Sequence, residues 1–199
     1  MAIKIVLWDI GNVVVDSHHS VGIARLVELG VPYMRAREFF KHPSYRDFAR
    51  GTIDGVEFWR QQNQQLGSEL ALSDMRDAHD AHMFGVDEEV LQIVRAVKLP
   101  IAWATATNQW QTRRQQELID LQQMFPDAPW FCSNKTGKLK TDPGAFNEIV
   151  AGLGVKPHEI LFVDDSEGNC LAASSEGIPF IWYKGAQHLG THLALNGCL

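Results

Sequence analysis

The segment IKIVLWDIGNVVVD constrains this chain most: an apolar run over residues 3–8 ends in Asp9 and passes through a Gly-Asn turn to Asp16. A short, continuous apolar run suits a strand buried on both faces, as in a parallel sheet. Open parallel sheets bind ligands in the crevice beyond the carboxyl ends of their strands, so an acid at such a tip is placed for chemistry. Asp9 is therefore the first candidate for a reactive residue. Taken alone, a strand-ending Asp is more often a turn former or helix cap.

Further apolar runs occur at 99–104, 130–132, 160–163 and 178–182, with helical patterns between the later ones. Buried strands alternating with helices predict an α/β fold, a doubly wound parallel sheet covered on both faces. Between Ser17 and Val86 no comparable strand run is found, and apolar residues recur at helical spacing: Val21, Ala24, Leu26 and Val27, then Phe39 and Phe40, then Phe58, Trp59 and Leu66. Residues 17–86 are expected to form a helical cap above the crevice, leaving 1–16 and 87–199 as the core. The natural crossings lie at 16–20 and 84–88. The first crossing carries His18 and His19.

Three later segments strengthen the case for Asp9. IAWATATN ends a strand in Thr105, GKLKTDPGAF places Lys140 in a loop before a helical pattern, and ILFVDDSEGN ends a strand in Asp164 and Asp165. Separately, Thr105 reads as a helix cap, Lys140 as a solvated lysine and the acids as a turn. Four such groups in one order, each at a loop edge, are harder to explain as caps and surface charge.

With these four segments the chain resembles the haloacid dehalogenase-like hydrolase superfamily, whose motifs are a strand-ending Asp, a strand-ending Ser or Thr, a Lys, and an acidic pair after a later strand. The resemblance runs from Ile3 to Ile181 and suits the branch with a small helical cap after the first motif. DIGNVVVD followed by RGTIDGVEF is similar to a bacterial subgroup of sugar-phosphate phosphatases, including those acting on glucose 1-phosphate.

The resemblance implies that Asp9 is a nucleophile forming an aspartyl phosphate and a ligand of Mg²⁺. It implies Asp165 as the main second metal ligand, Asp164 beside it, Asn169 in the outer shell and the carbonyl of Gly11 completing the protein ligands. Thr105 and the amide of Ala106 would hold phosphate oxygens, and Lys140 would neutralise Asp9 and the transferring group. One departure stands out. The family's phosphatases usually carry a second Asp two positions after the nucleophile, which protonates the leaving oxygen; here that position is Gly11. General acid-base help of ~10²–10⁴-fold is then absent or supplied elsewhere, with His18 and His19 as candidate replacements and solvated hinge histidines as the plainer expectation. Anomeric, acyl or aryl phosphates would tolerate the missing acid better than primary alkyl phosphates.

The expected activity is thus Mg²⁺-dependent hydrolysis of a small phosphorylated metabolite, with a sugar phosphate as the expected substrate. A catalytically silent phosphate-binding relative is one rival. A haloacid dehalogenase, which uses the same nucleophile without Mg²⁺, is another, and the Asp164–Asp165 pair counts against it. A phospho-acceptor signalling domain fits poorly, because its acidic pair comes early in the chain and its acceptor follows.

Composition narrows the partners. A chain of 199 residues with 45% hydrophobic content can bury a sizeable core. Its formal charge of −6 argues against general affinity for nucleic acid. No run approaches the ~20 apolar residues that span a bilayer, and the start of the chain does not read as a signal peptide, so a cytoplasmic protein is expected. Oligomeric state is not legible. Cys132, Cys170 and Cys198 form no close pair and are expected to be reduced, the first two as small core residues. The glutamine-rich stretches RQQNQQL and RRQQELIDLQQ read as solvated helix faces, and His79 and His82 of RDAHDAH as ordinary solvated helix.

Overall fold

In the computed structural model, which describes residues 2–199, strands β1 (Ile5–Trp8), β4 (Ile101–Thr105), β5 (Trp130–Cys132), β6 (Ile160–Asp164) and β7 (Phe180–Trp182) form one sheet of order β5-β4-β1-β6-β7. Every neighbouring pair in it is parallel. Successive side chains point to opposite faces, so Ile5 and Leu7, Ala102 and Ala104, and Ile160 and Phe162 enter one core cluster, while Val6 and Trp8, Trp103, and Leu161 and Val163 enter another. Both faces are buried, which is why the strands read as unbroken apolar runs rather than alternating ones.

From β1 the chain goes to β4 and β5 on one side, then to β6 and β7 on the other. The switch point, where flanking connections diverge and leave a crevice, therefore lies at the carboxyl end of β1. Asp9 is the next residue.

A second, two-stranded antiparallel sheet joins β2 (Val15–Ser17) to β3 (Met83–Val86). Neither strand was anticipated: Val15–Ser17 is only three residues at an expected crossing, and the MFGV stretch is short, carries a glycine and leaves Phe84 exposed. Between β2 and β3 lie helices α1 (His19–Glu28), α2 (Tyr33–Ala36), α3 (Pro43–Ala49), α4 (Gly55–Leu66) and α5 (Leu72–Asp80). They share a core of Leu26, Phe39, Phe40, Phe48, Phe58, Leu66 and Met75. The face of α1 is only partly the expected one: Leu26 is buried, but Val21, Ala24 and Val27 are exposed and Gly22 is buried in their place. A Cβ at Gly22 would stand 2.7 Å from the Ala78 carbonyl oxygen and 2.8 Å from the Phe40 ring, so the missing side chain lets α1 close on α5.

The remaining helices are α6 (Glu88–Ala96), α7 (Gln109–Leu118), α8 (Leu121–Met124), α9 (Ser133–Thr136), α10 (Ala145–Leu153), α11 (Glu167–Ser175) and α12 (Ala186–Leu195). One of them ties the helical segment to the sheet. Trp110 of α7 is buried in the cluster of α1 to α5, stacked edge-on against Phe48 and Phe58. Gly55 makes room for it, since a Cβ there would lie 2.4 Å from the indole nitrogen. All three cysteines are buried and free, and no helix among the described residues is long and apolar enough to cross a membrane.

Candidate active site

Three adjacent strands deliver the floor of the site. Asp9 follows β1, Thr105 ends β4 and Asp164 ends β6, and all three are buried. The Asp9 amide donates to the Val163 carbonyl (2.9 Å), which holds the residue in register beside β6. After it, the chain turns back through Asn12, whose φ of 54° is left-handed; asparagine tolerates that region better than most residues. The Asn12 side chain accepts from the Ser17 amide (3.1 Å) and hydroxyl (3.0 Å), and also bonds the Asp165 carboxylate.

Lys140 comes from the loop after α9 and reaches two carboxylates at once: its Nζ lies 2.6 Å from Asp9 Oδ1 and 2.6 Å from Asp164 Oδ2. Asp164 is saturated by its neighbours. It accepts from the Ser166 amide (2.8 Å), from Asn169 Nδ2 on both oxygens (3.0 and 3.1 Å) and from Lys140. Ligand oxygens of Asp9, Asp164 and Asp165 all lie within 4.8 Å of one another.

Charge at this floor is unbalanced. Burial drives the Asp9 carboxyl up to about 7, against the pull of Lys140 and with the push of Asp164. Burial and Asp164 likewise raise Asp165. Burial alone would lower Lys140, but Asp9 and Asp164 outweigh it and hold the ammonium charged. Three acids facing one lysine leave a deficit that a divalent cation fits, and an all-oxygen donor set of carboxylates with a nearby carbonyl suits Mg²⁺.

A small cavity of ≈ 70 Å³ opens over the floor, with Asp9, Gly11, Thr105, Ala106, Lys140 and Asn169 on one side and Ser17, His82, Met83, Gln111 and Gln115 on the other. The Thr105 hydroxyl and the Ala106 amide make no protein hydrogen bond among the described residues, so both are free donors. Gly11 has ordinary φ, and a Cβ there would meet nothing nearer than the Ser17 hydroxyl at 4.0 Å. Space for the family's second acid exists; the residue does not.

The model of the haloacid dehalogenase-like hydrolase family matches residues 3–177. The chain belongs to that family. The chain is 26% identical over 197 residues to a chloroplast flavin mononucleotide hydrolase 1 of Arabidopsis thaliana, covering 96% of this chain and 77% of that one. A HAD family enzyme of Bacteroides thetaiotaomicron, solved with magnesium and inorganic phosphate, shares the fold with a TM-score of 0.82 at 21% identity, over 92% of this chain and 95% of that one. An L-2-haloacid dehalogenase of Xanthobacter autotrophicus, with chloropropionic acid covalently bound, matches with a TM-score of 0.64 at 18% identity, over 99% and 84% of the two chains.

The far wall of this HAD-like site departs from the sequence expectation. His79 and His82 are buried rather than solvated. His79 Nδ1 donates to Asp80 (3.0 Å) and its Nε2 faces Asn108 Nδ2 (3.2 Å); Asp80 in turn pairs with Arg113. His82 Nδ1 donates to the His79 carbonyl, which leaves Nε2 to accept from Gln111 Nε2 at 3.2 Å. Burial lowers both imidazoles, His82 to about 3, so both are neutral at pH 7. Met75 and His79 stand at i and i+4 on the buried face of α5, whereas His82 lies in the turn before β3.

Nor are the glutamine stretches wholly solvated: Gln62 and Gln115 are buried. Gln62 donates to the Phe39 carbonyl (3.1 Å) and the Ser44 hydroxyl (3.1 Å), bridging otherwise separate turns. His18 caps α1, its Nδ1 2.6 Å from the Ser20 hydroxyl, and His19 lies flat on Phe40 at 4.1 Å. Both are exposed, as expected for hinge histidines.

Two contacts escaped sequence reasoning altogether. Arg50, at the end of α3, makes a two-pronged bond to Asp142 (3.0 and 2.8 Å), two residues beyond Lys140. The Ser133 hydroxyl donates to the Ala49 carbonyl (2.6 Å) and accepts from the Thr107 amide (2.9 Å). Each joins the helical segment to a loop of the site, across sequence separations of 92 and 84 residues.

Proposed function

We propose that the protein is a Mg²⁺-dependent phosphatase that hydrolyses a small phosphorylated metabolite, a sugar phosphate above all, through an aspartyl phosphate at Asp9. The observation that carries this reading is the bridging of Asp9 and Asp164 by Lys140 beside Asp165, at the tips of adjacent strands. The hydrolase of Arabidopsis, which by name acts on a phosphate monoester, supports the reaction class.

Asp9 attacks phosphorus in line; the new bond is carboxylate oxygen to phosphorus, and the bond to the leaving oxygen breaks. Thr105 and the Ala106 amide donate to the phosphoryl oxygens, and Lys140 offsets their charge while keeping Asp9 apart from Asp164. Asp9, Asp165 and the Gly11 carbonyl would hold Mg²⁺, which cancels charge between nucleophile and phosphate. Asp164, with its oxygens already engaged, orients Lys140 and Asn169 and stands beside the metal ligands. Water then attacks phosphorus and frees Asp9.

Glycine at position 11 leaves the leaving oxygen without a proton donor on that residue. This favours anomeric, acyl and aryl phosphates, whose leaving oxygens carry developing charge more easily. Residues 17–86 act as the cap over the cavity, and the core is 1–16 with 87–199. A phosphate-release screen over anomeric, alkyl, acyl and aryl phosphates, with and without Mg²⁺, tests the reading. Release that survives exhaustive chelation would move it to a metal-independent hydrolase.

A further inference from the structure

Two glutamines one turn apart on α7, Gln111 and Gln115, line the same cavity, and their bonding differs completely. The Gln111 amide is committed. Its oxygen accepts from the Asn108 amide (3.1 Å) and Asn108 Nδ2 (3.0 Å), and its nitrogen faces the Tyr45 hydroxyl (3.1 Å) and His82 Nε2 (3.2 Å). Gln115 is 7% exposed, and its side-chain amide has no hydrogen-bond partner among the described residues. The amide atoms themselves stay open to the cavity that the side chain lines, so they are free to bond whatever enters it.

The other polar groups on that wall are taken. Ser17 donates its hydroxyl to Asn12, and His82 is held between the His79 carbonyl and Gln111. Gln115 lies six residues into α7, a rise of about 9 Å from the start of the helix, and so beyond the Thr105–Ala106 loop that precedes α7. From there the amide faces the part of a ligand that follows the phosphate.

We infer that Gln115 is a substrate-binding residue that reads the leaving group, hydrogen-bonding a hydroxyl of a polyol or sugar ester. A carboxamide donates and accepts, as a hydroxyl does, and it adds no charge to a wall whose imidazoles are neutral. An amide built for such a partner discriminates against esters that lack it, because the pair is then left unmade. This assignment rests on the phosphatase reading for its choice of ligand class.

The test measures binding by calorimetry, with Mg²⁺ present, in the Asp9→Asn protein so that nothing turns over. The ligands are glucose 1-phosphate, glycerol 3-phosphate and inorganic phosphate. Gln115→Met, which keeps the volume and removes the hydrogen bonds, should weaken the tighter hydroxylated ester about tenfold, the equivalent of one neutral hydrogen bond, and inorganic phosphate less than about twofold. Gln115→Ala should show the same loss of preference if the longer side chain perturbs α7. Equal weakening of all three ligands, no weakening, or a parent protein that binds neither ester more tightly than inorganic phosphate would overturn the assignment. Failure of the phosphatase reading would show separately, as absence of phosphate release from the wild-type protein.

Discussion

The two sides of the cavity are built on opposite principles. The floor concentrates charge: Asp9, Asp164 and Asp165 meet around Lys140, and each sits where a parallel strand ends or a loop returns to it. On the other side the lining His82 and Gln111 are polar but uncharged, and Gln111 is held from behind by Tyr45 of α3 and by Asn108, which also meets His79 of α5. A charged floor can drive phosphoryl transfer, since electrostatic stabilisation at the reacting atoms is the protein's main contribution there. A neutral wall leaves that field undisturbed and ties the helices between β2 and β3 to α7.

The sharpest way to break the contrast is to remove the carboxylate proposed as the nucleophile. Asp9→Asn should lower kcat by about 10⁴-fold or more, with an unchanged far-ultraviolet circular dichroism spectrum; near-normal turnover by the purified variant would remove the assignment. Asp165→Asn should cost at least ~10²-fold and raise the Mg²⁺ concentration needed for half activity if Asp165 is the proposed second ligand, since a charge is then lost from the metal site. Restoring the missing acid should act only on chemistry. Gly11→Asp has room for its Cβ and should speed primary alkyl phosphates by up to ~10²-fold while changing aryl phosphates little, as read from single-turnover rates across a leaving-group series.

The wall should answer in stability instead. Trp110→Ala removes the indole that joins α7 to the helical cluster and should cost about 3–5 kcal/mol in urea unfolding. The two sides should also respond oppositely to pH. His79 and His82 stay neutral in the fold while an unfolded histidine takes a proton near 6.5, so the unfolded state binds more protons and stability falls as pH drops below that value towards 3. Asp9 does the reverse in metal-free protein. Its folded pKa of about 7 exceeds the unfolded 3.8, so its contribution weakens the fold as pH rises between them. Melting temperatures with and without Mg²⁺ should therefore separate more at pH 7 than at pH 5.

The same division decides what could be read from the sequence. The sheet was legible because both its faces are buried and its strands are unbroken apolar runs; Asp9, Thr105 and the Asp164–Asp165 pair stand at the ends of such runs, whereas Lys140 lies in a loop before a helix. The wall was not legible. His79 and Gln115 lie on helices, where burial depends on which neighbour covers which face, His82 lies in the turn after α5, and the groups that hold the two histidines, Asn108 and Gln111, come from a distant part of the chain. For α1 the apolar pattern pointed to Val21 and Val27, but a glycine, Gly22, sets the packed face by permitting close approach. Arg50–Asp142 and Ser133–Ala49 had no local signal at all, since nothing in sequence relates residues so far apart.

The central claim is that phosphate passes through Asp9. Wild-type protein turning over its best substrate with Mg²⁺ should be quenched in acid, reduced with borohydride and mapped by peptide mass spectrometry. The account predicts a modified Asp9 that appears during turnover, disappears as substrate is exhausted and is absent after chelation. Phosphate release at full rate with Asp9 unmodified throughout would contradict it.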